Sequence, residues 1–231
     1  MSAPWDSLAP AALLSCEAGV EGWIAQPSNT YSNVVYFVVA GALWWRSRQS
    51  VKRTHDIPMA VLSFTIGVAS TLAHASLARI FAVFDFTAIF LLFSYIMTAN
   101  LAELGRWSVR RRHGFALALS ALSILPQILG QRTGLLVFTL YLVGCLVTEA
   151  LALKKLRMAP VDRRYLAASL GLLATGLVCF FLDERRVICD PQDHVFQLHS
   201  VWHFFAGASL YLIALYFETK HRPVNSTRAA S

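Results

Sequence analysis

Two histidines, His199 and His203, stand four residues apart in the run Gln197-Leu198-His199-Ser200-Val201-Trp202-His203. On a helix that spacing stacks two imidazoles one turn apart on a single face, where they can grip one metal ion. The plainer alternative is a pair of boundary histidines that only hydrogen-bond. The run opens an apolar stretch that continues to Phe217, long enough to cross a bilayer. Ionisable side chains inside a membrane helix are costly, and by default they mark function. Earlier in the chain stand Ser70, His74 four residues after it, and Asp85. Three imidazoles with a fourth position open are the ligand set of a catalytic zinc ion, and neutral imidazoles avoid burying net negative charge. Ser200-Val201-Trp202 contains no glutamate, unlike the His-Glu-x-x-His metalloproteases. A base for a zinc-activated water must therefore come from another element, and Asp85 is the candidate. Ser70 could donate to an oxyanion or orient the ligand shell. The competing reading is a serine that bonds back to its own helix.

These residues need elements that bring them to one depth. The chain of 231 residues is 56% hydrophobic and 14% charged, with a mean hydropathy of +0.53, too apolar for an ordinary soluble domain. The expected fold class is all-α: a polytopic bundle of seven membrane helices. The spans run from Thr30 to Trp45, Ile57 to Ala78, Phe81 to Ala102, Phe115 to Leu129, Leu135 to Leu153, Leu166 to Leu182 and Val195 to Phe217. The first and fourth are short for a bilayer of about 20 residues, and the fourth ends around Pro126. Residues 1–29 form an N-terminal segment, 30–217 the helical domain, and 218–231 a tail whose part after His221 is polar, small and expected to be disordered. The start carries Asp6 and no basic run, so it does not read as a signal peptide.

The net charge of +7 does not imply nucleic acid, because the basic residues sit in short clusters between apolar runs. Arg46, Arg48, Lys52 and Arg53 follow the first span, and Arg106, Arg110, Arg111 and Arg112 follow the third. Lys154, Lys155, Arg157, Arg163 and Arg164 follow the fifth, and Lys220, Arg222 and Arg228 follow the seventh. The alternate loops hold only Arg79, Arg132, Arg185 and Arg186. The positive-inside rule then places the N-terminus outside and the C-terminus in the cytoplasm.

With that topology the unusual residues share a depth. His74 lies seventeen residues, roughly 25 Å, up the second span. Asp85 lies just over a turn into the third, and His199 and His203 open the seventh. All fall in the outer half of the bilayer. Asn29, Ser32 and Asn33 share a face where the first span begins, either to orient the ligands of the zinc site from behind or beside a helix cap made by Ser28 or Asn29. Cys145 and Cys179 fall inside spans, whereas Cys16 and Cys189 both lie on the outer side. A Cys16–Cys189 disulfide is therefore expected there, against the alternative of two unpaired thiols.

The ordered set Ser70-x-x-x-His74, Asp85 and His199-x-x-x-His203 resembles the alkaline ceramidases. That family belongs to a superfamily of seven-helix membrane hydrolases that includes the adiponectin-type receptors. Cys16-Glu17 and Pro27-x-Asn29-Thr30-x-Ser32-Asn33 are similar to its N-terminal signature, so the resemblance spans Cys16 to Tyr211. It implies zinc held by His74, His199 and His203, with Ser70 and Asp85 as the catalytic pair. It implies hydrolysis of the amide of ceramide or another N-acyl lipid, yielding a sphingoid base and a fatty acid. The chain departs from the calcium-binding pattern: only Glu17 is kept, and Gln26 stands where a glutamate is usual. The compact loops suggest a bacterial member, in an inner membrane with its site toward the periplasm. Two other readings compete: a receptor-like or scaffold protein with structural zinc, and a haem-binding electron carrier. Oligomeric state is not readable from the sequence.

Overall fold

The computed structural model describes residues 3–11, 15–49, 54–129, 131–156 and 163–220. The tail after Lys220, with Arg222 and Arg228, lies outside them, as do Lys52, Arg53 and Arg157 of the charge pattern. Among the described residues there are nine α-helices and no strand. They are α1 (Pro27–Ser32), α2 (Val34–Arg48), α3 (Asp56–Ser76), α4 (Arg79–Gly105), α5 (Val109–Leu122), α6 (Ile124–Leu129), α7 (Gln131–Leu156), α8 (Arg163–Glu184) and α9 (Leu198–Lys220). Among the described residues five segments are long and apolar enough to cross a membrane: α3, α4, Leu135–Lys154 of α7, α8 and α9.

The two spans read as short are each divided. The first begins as α1, breaks at Asn33 and resumes as α2, whose 15 residues reach about 22 Å. The fourth breaks at Ser123, not at Pro126. Pro126 is the third residue of α6, where its missing N–H and its ring are tolerated; inside an unbroken helix both would disrupt the preceding turn.

The chain forms two compact units, whose boundary falls within α3. The first comprises Met1–Leu14, Gly19–Ala25 and Val68–Arg157. In it α4 packs against α5 and α7. Phe93 meets Phe138 and Phe90 meets Tyr141 across α4 and α7, and Tyr141 donates to the Leu119 carbonyl of α5. The second unit comprises Ser15–Ala18, Gln26–Gly67 and Met158–Ser231, and is built around α9. Glycines let its helices close on one another. A Cβ at Gly176 of α8 would stand 2.8 Å from the Trp202 ring, and one at Gly207 would stand 2.7 Å from Val35 of α2. Small residues at helix crossings serve the same end generally in apolar surroundings. Ser169 and Ser209 reinforce the α8–α9 contact, each donating to the other's carbonyl oxygen, at 3.0 and 2.9 Å.

Candidate metal and catalytic site

In the first unit the turn from α3 to α4 positions three of the expected residues. Ser70 and His74 occupy the last turns of α3 and are buried. The helix stops at Ser76 because Leu77 turns left-handed, with φ at 52°. A branched side chain rarely adopts that conformation, and it persists where surrounding structure holds it. Here Leu77 N donates to Ala73 O, Leu77 O accepts from Ala11 N, and the flanking Arg79 N donates to Ala9 O. Ala25 N reaches the Ala75 carbonyl, so the N-terminal segment braces the same corner. The reversal sends α4 back from Arg79 and brings Asp85 beside Ser70, whose hydroxyl is hydrogen-bonded to the Asp85 carboxyl. A nucleophile or base oriented by a neighbouring donor is the local arrangement that proton-transfer catalysis requires.

In the second unit His199 and His203 lie in the first turns of α9, with their ring centroids 4.9 Å apart and nearly perpendicular. Three carboxylates hold this end of the unit. Asp193, in the loop ahead of α9, accepts from Val195 N and Phe196 N, which hold its carboxyl below the ordinary carboxylate value. Asp183, at the end of α8 and fully buried, accepts from Cys16 N at 2.9 Å and from His199 N at 3.2 Å. The oxygen that accepts from Cys16 N, Oδ2, also lies 3.9 Å from His199 Nδ1. Glu17, also buried, caps α1 with both oxygens: Oε1 takes Ser28 N and Oε2 takes Asn29 N, each at 2.9 Å. His194 Nδ1 approaches Glu17 Oε1 at 3.1 Å. The bidentate cap follows from the sequence order. Pro27 at N1 has no N–H, so the first free donors of α1 belong to Ser28 and Asn29. Neither Ser28 nor Asn29 caps the helix, contrary to the local expectation; their N–H groups are what is capped.

Cys16 and Cys189 are joined as expected from the sequence. The bond ties the segment that carries Glu17 to the loop that leads into α9. Cys145 and Cys179 are free thiols within α7 and α8. Of the three polar residues flagged where the first span begins, Ser32 reaches the histidine pair, with Oγ 2.7 Å from His203 Nδ1. Asn33 Nδ2 instead donates to Asn29 O. Asp183 escaped the sequence reading, which placed it just past the sixth span. Its only local sign is a carboxylate directly after eighteen residues without charge, Tyr165 to Leu182.

One nitrogen each from His74, His199 and His203 lies within 4.8 Å of the others, a group that could hold a metal ion. The donor set is three imidazoles, with His74 and His203 buried and His199 partly so. Among the described residues no other three histidine, cysteine or acidic side chains come together in this way. The family model described as Ceramidase matches residues 16–229. No curated protein matches the chain.

Proposed function

The chain belongs to the ceramidase family, whose model covers nearly all of it, and from that premise we propose that it is a zinc-dependent amide hydrolase of the membrane. Its substrate is ceramide or a related N-acyl lipid. The observation that carries this reading is the convergence of three imidazoles in a chain of that family. Zinc suits an all-imidazole set, because it is content with three nitrogen ligands and an open fourth position. When bound, it supplies a Lewis acid for a carbonyl oxygen and makes water a better nucleophile at neutral pH. His74, His199 and His203 are its ligands.

Asp85 is the general base. Its carboxylate takes a proton from the attacking water and returns one to the departing amine nitrogen, leaving a sphingoid base and a fatty acid. Ser70, hydrogen-bonded to Asp85, fixes the direction in which that carboxylate offers its lone pair. Calcium has little to recommend it here. Glu17, the one acidic residue retained from that pattern, accepts two backbone N–H groups and faces His194.

The bundle spans the bilayer seven times if α1–α2 and α5–α6 each count as one broken span beside the five long segments. Residues 1–29 then lie outside, 30–217 form the hydrolase domain, and 218–231 lie in the cytoplasm. A disulfide between Cys16 and Cys189 fits an oxidising outer compartment, which in a bacterium is the periplasm.

The test is metal analysis, a visible spectrum and turnover of a fluorescent N-acyl sphingoid lipid, all on one detergent-purified preparation. About one zinc per chain, no haem band and release of labelled fatty acid are expected. Zinc without turnover would leave the receptor-like or scaffold reading standing, and a haem band would replace both.

A further inference from the structure

We infer that Ser32 is a positioning residue that fixes the tautomer of His203, and so decides which of its ring nitrogens faces the metal. The inference deepens the proposed zinc centre and rests on it. It starts from the count of one hydrogen. A serine hydroxyl has a single proton to donate and two lone pairs with which to accept. Ser32 Oγ lies 2.9 Å from the Asn29 carbonyl oxygen and 2.7 Å from His203 Nδ1, and both residues are buried.

A carbonyl oxygen can only accept, so the contact with Asn29 takes the Ser32 proton. The contact with His203 must then run the other way, with Nδ1–H donating to Ser32 Oγ. In a neutral imidazole a protonated Nδ1 leaves the lone pair on Nε2. Nε2 is therefore the ligand atom, and it is presented in the only tautomer that can bind. Metal-ligating histidines generally need such a partner behind the ring to set tautomer and orientation.

The acceptor does not float. Ser32 is the last residue of α1, and the break at Asn33 immediately follows it. Asn29 N is held by Glu17 Oε2 at 2.9 Å, and the Asn29 carbonyl also receives Asn33 Nδ2 at 2.9 Å. A continuous hydrogen-bonded line thus runs from Glu17, beside the disulfide-bonded Cys16, through Asn29 and Ser32 to His203. This gives α1 a purpose of its own. A six-residue helix ahead of the first long apolar stretch carries a hydroxyl that touches the ring.

The experiment measures zinc affinity by chelator competition in the full-length, detergent-purified protein for wild type, Ser32→Ala, Ser32→Thr and His203→Ala. Removal of such a supporting group commonly costs about 10- to 100-fold in metal affinity. Ser32→Ala is expected to weaken zinc binding by that factor and to alter the visible spectrum of the cobalt-substituted protein, and Ser32→Thr to restore both. Equal affinity and an unchanged cobalt spectrum in Ser32→Ala overturn the inference. So does equal damage in Ser32→Thr, which would trace the effect to packing. Solid-state 15N spectra of histidine-labelled wild-type protein decide the matter should Ser32→Ala fail to fold. His203 protonated at Nδ1 supports the assignment, and His203 protonated at Nε2 overturns it. A wild-type protein that binds no zinc, or His203→Ala with unchanged zinc, refutes the metal centre itself. Normal zinc binding in wild type, lost in His203→Ala but intact in Ser32→Ala, refutes only the role of Ser32.

Discussion

The two ends of α9 are built with the same device and hold different things. At its N-terminal end Asp183 accepts His199 N, and nearby Glu17 accepts the first N–H groups of α1. At its C-terminal end Glu218 accepts His55 N at 2.9 Å, and the buried Asp56 opens α3 beside Arg46. In each case a buried carboxylate sits on a helix N-terminus, where unpaired N–H groups and the helix dipole favour negative charge. Buried charge alone would nominate both ends as sites. The histidines separate them. His199 and His203 join His74 in a possible metal group, whereas His55 packs its ring at a tilt against Phe217, with centroids 5.2 Å apart, and belongs to no such group among the described residues. Buried carboxylates on helix ends are therefore construction here, and in the proposed function it is the imidazoles that carry the chemistry.

The largest effect comes from removing what distinguishes the ends. His203→Ala takes away one of the three proposed zinc ligands and the partner of Ser32. Zinc content is expected to fall well below one per chain and lipid-amide turnover to fall to background, with the helical circular dichroism retained. Zinc stoichiometry equal to wild type would show that the histidine end is no more a metal site than the other.

Asp85→Asn sharpens the same contrast by separating metal from turnover. The amide keeps the shape of the carboxyl and can still meet the Ser70 hydroxyl, but it cannot take a proton at neutral pH. Turnover is expected to fall by about 100-fold or more, the ordinary scale for a lost general base, with zinc content unchanged. Steady-state kinetics and metal analysis on the same sample check it. Turnover within a few-fold of wild type would remove Asp85 from the chemistry.

What the sequence disclosed and what it hid follow one physical division. Periodicity and apolar runs depend on neighbours along the chain, so α3, α4, α8 and α9 and the His199–His203 pair could all be read in advance. The Cys16–Cys189 bond was also accessible, because charge asymmetry between loops assigned each cysteine a side before any contact was known. The broken helices were visible only as shortness, in α2 and in the stretch around Pro126. Asp183 and Glu17 were not legible as caps. Asp183 acts 167 residues away on Cys16 and 16 residues away on His199. No local pattern encodes a carboxylate that caps a helix to which it does not belong. The same holds for Ser32, whose spacing put it on the right face but could not show that its partner was His203 and not His199.

Next in size is the disulfide, a device that the C-terminal end of α9 does not share. Cys189→Ser opens a closure spanning 173 residues. Loop-entropy models credit a closure of that length with about 5 kcal/mol, and measured gains are often smaller. A fall in Tm on the order of 10 °C is expected in non-reducing buffer, with zinc still bound below the transition. Treating wild type with a reductant should reproduce the shift and leave Cys189→Ser unmoved. A variant as stable as wild type would mean that the carboxylate caps alone hold the N-terminal end.

The smallest expected effect tests the other end. Arg46 of α2 lies 3.3 Å from Asp56 of α3, and its guanidinium stands 5.9 Å from the Tyr211 ring of α9. One side chain thus joins three helices of the second unit. Arg46→Met keeps much of the length and the apolar stem and removes the charge. Its side chain is 23% exposed while that of Asp56 is fully buried, so the pair lies between two regimes. An exposed pair is worth up to about 1 kcal/mol. Removing a partner from a fully buried pair costs about 3–5 kcal/mol. A loss of about 1–2 kcal/mol follows, because Asp56 keeps its place at the α3 N-terminus and solvent reaches the site along the arginine. Thermal or denaturant unfolding in detergent measures that loss. Zinc affinity and turnover should stay at wild-type values, since no link of the Glu17–Asn29–Ser32–His203 line passes through Arg46. If Arg46→Met instead lowers zinc affinity as Ser32→Ala is expected to, the two ends of α9 are coupled. The division between construction at one end and chemistry at the other would then be wrong.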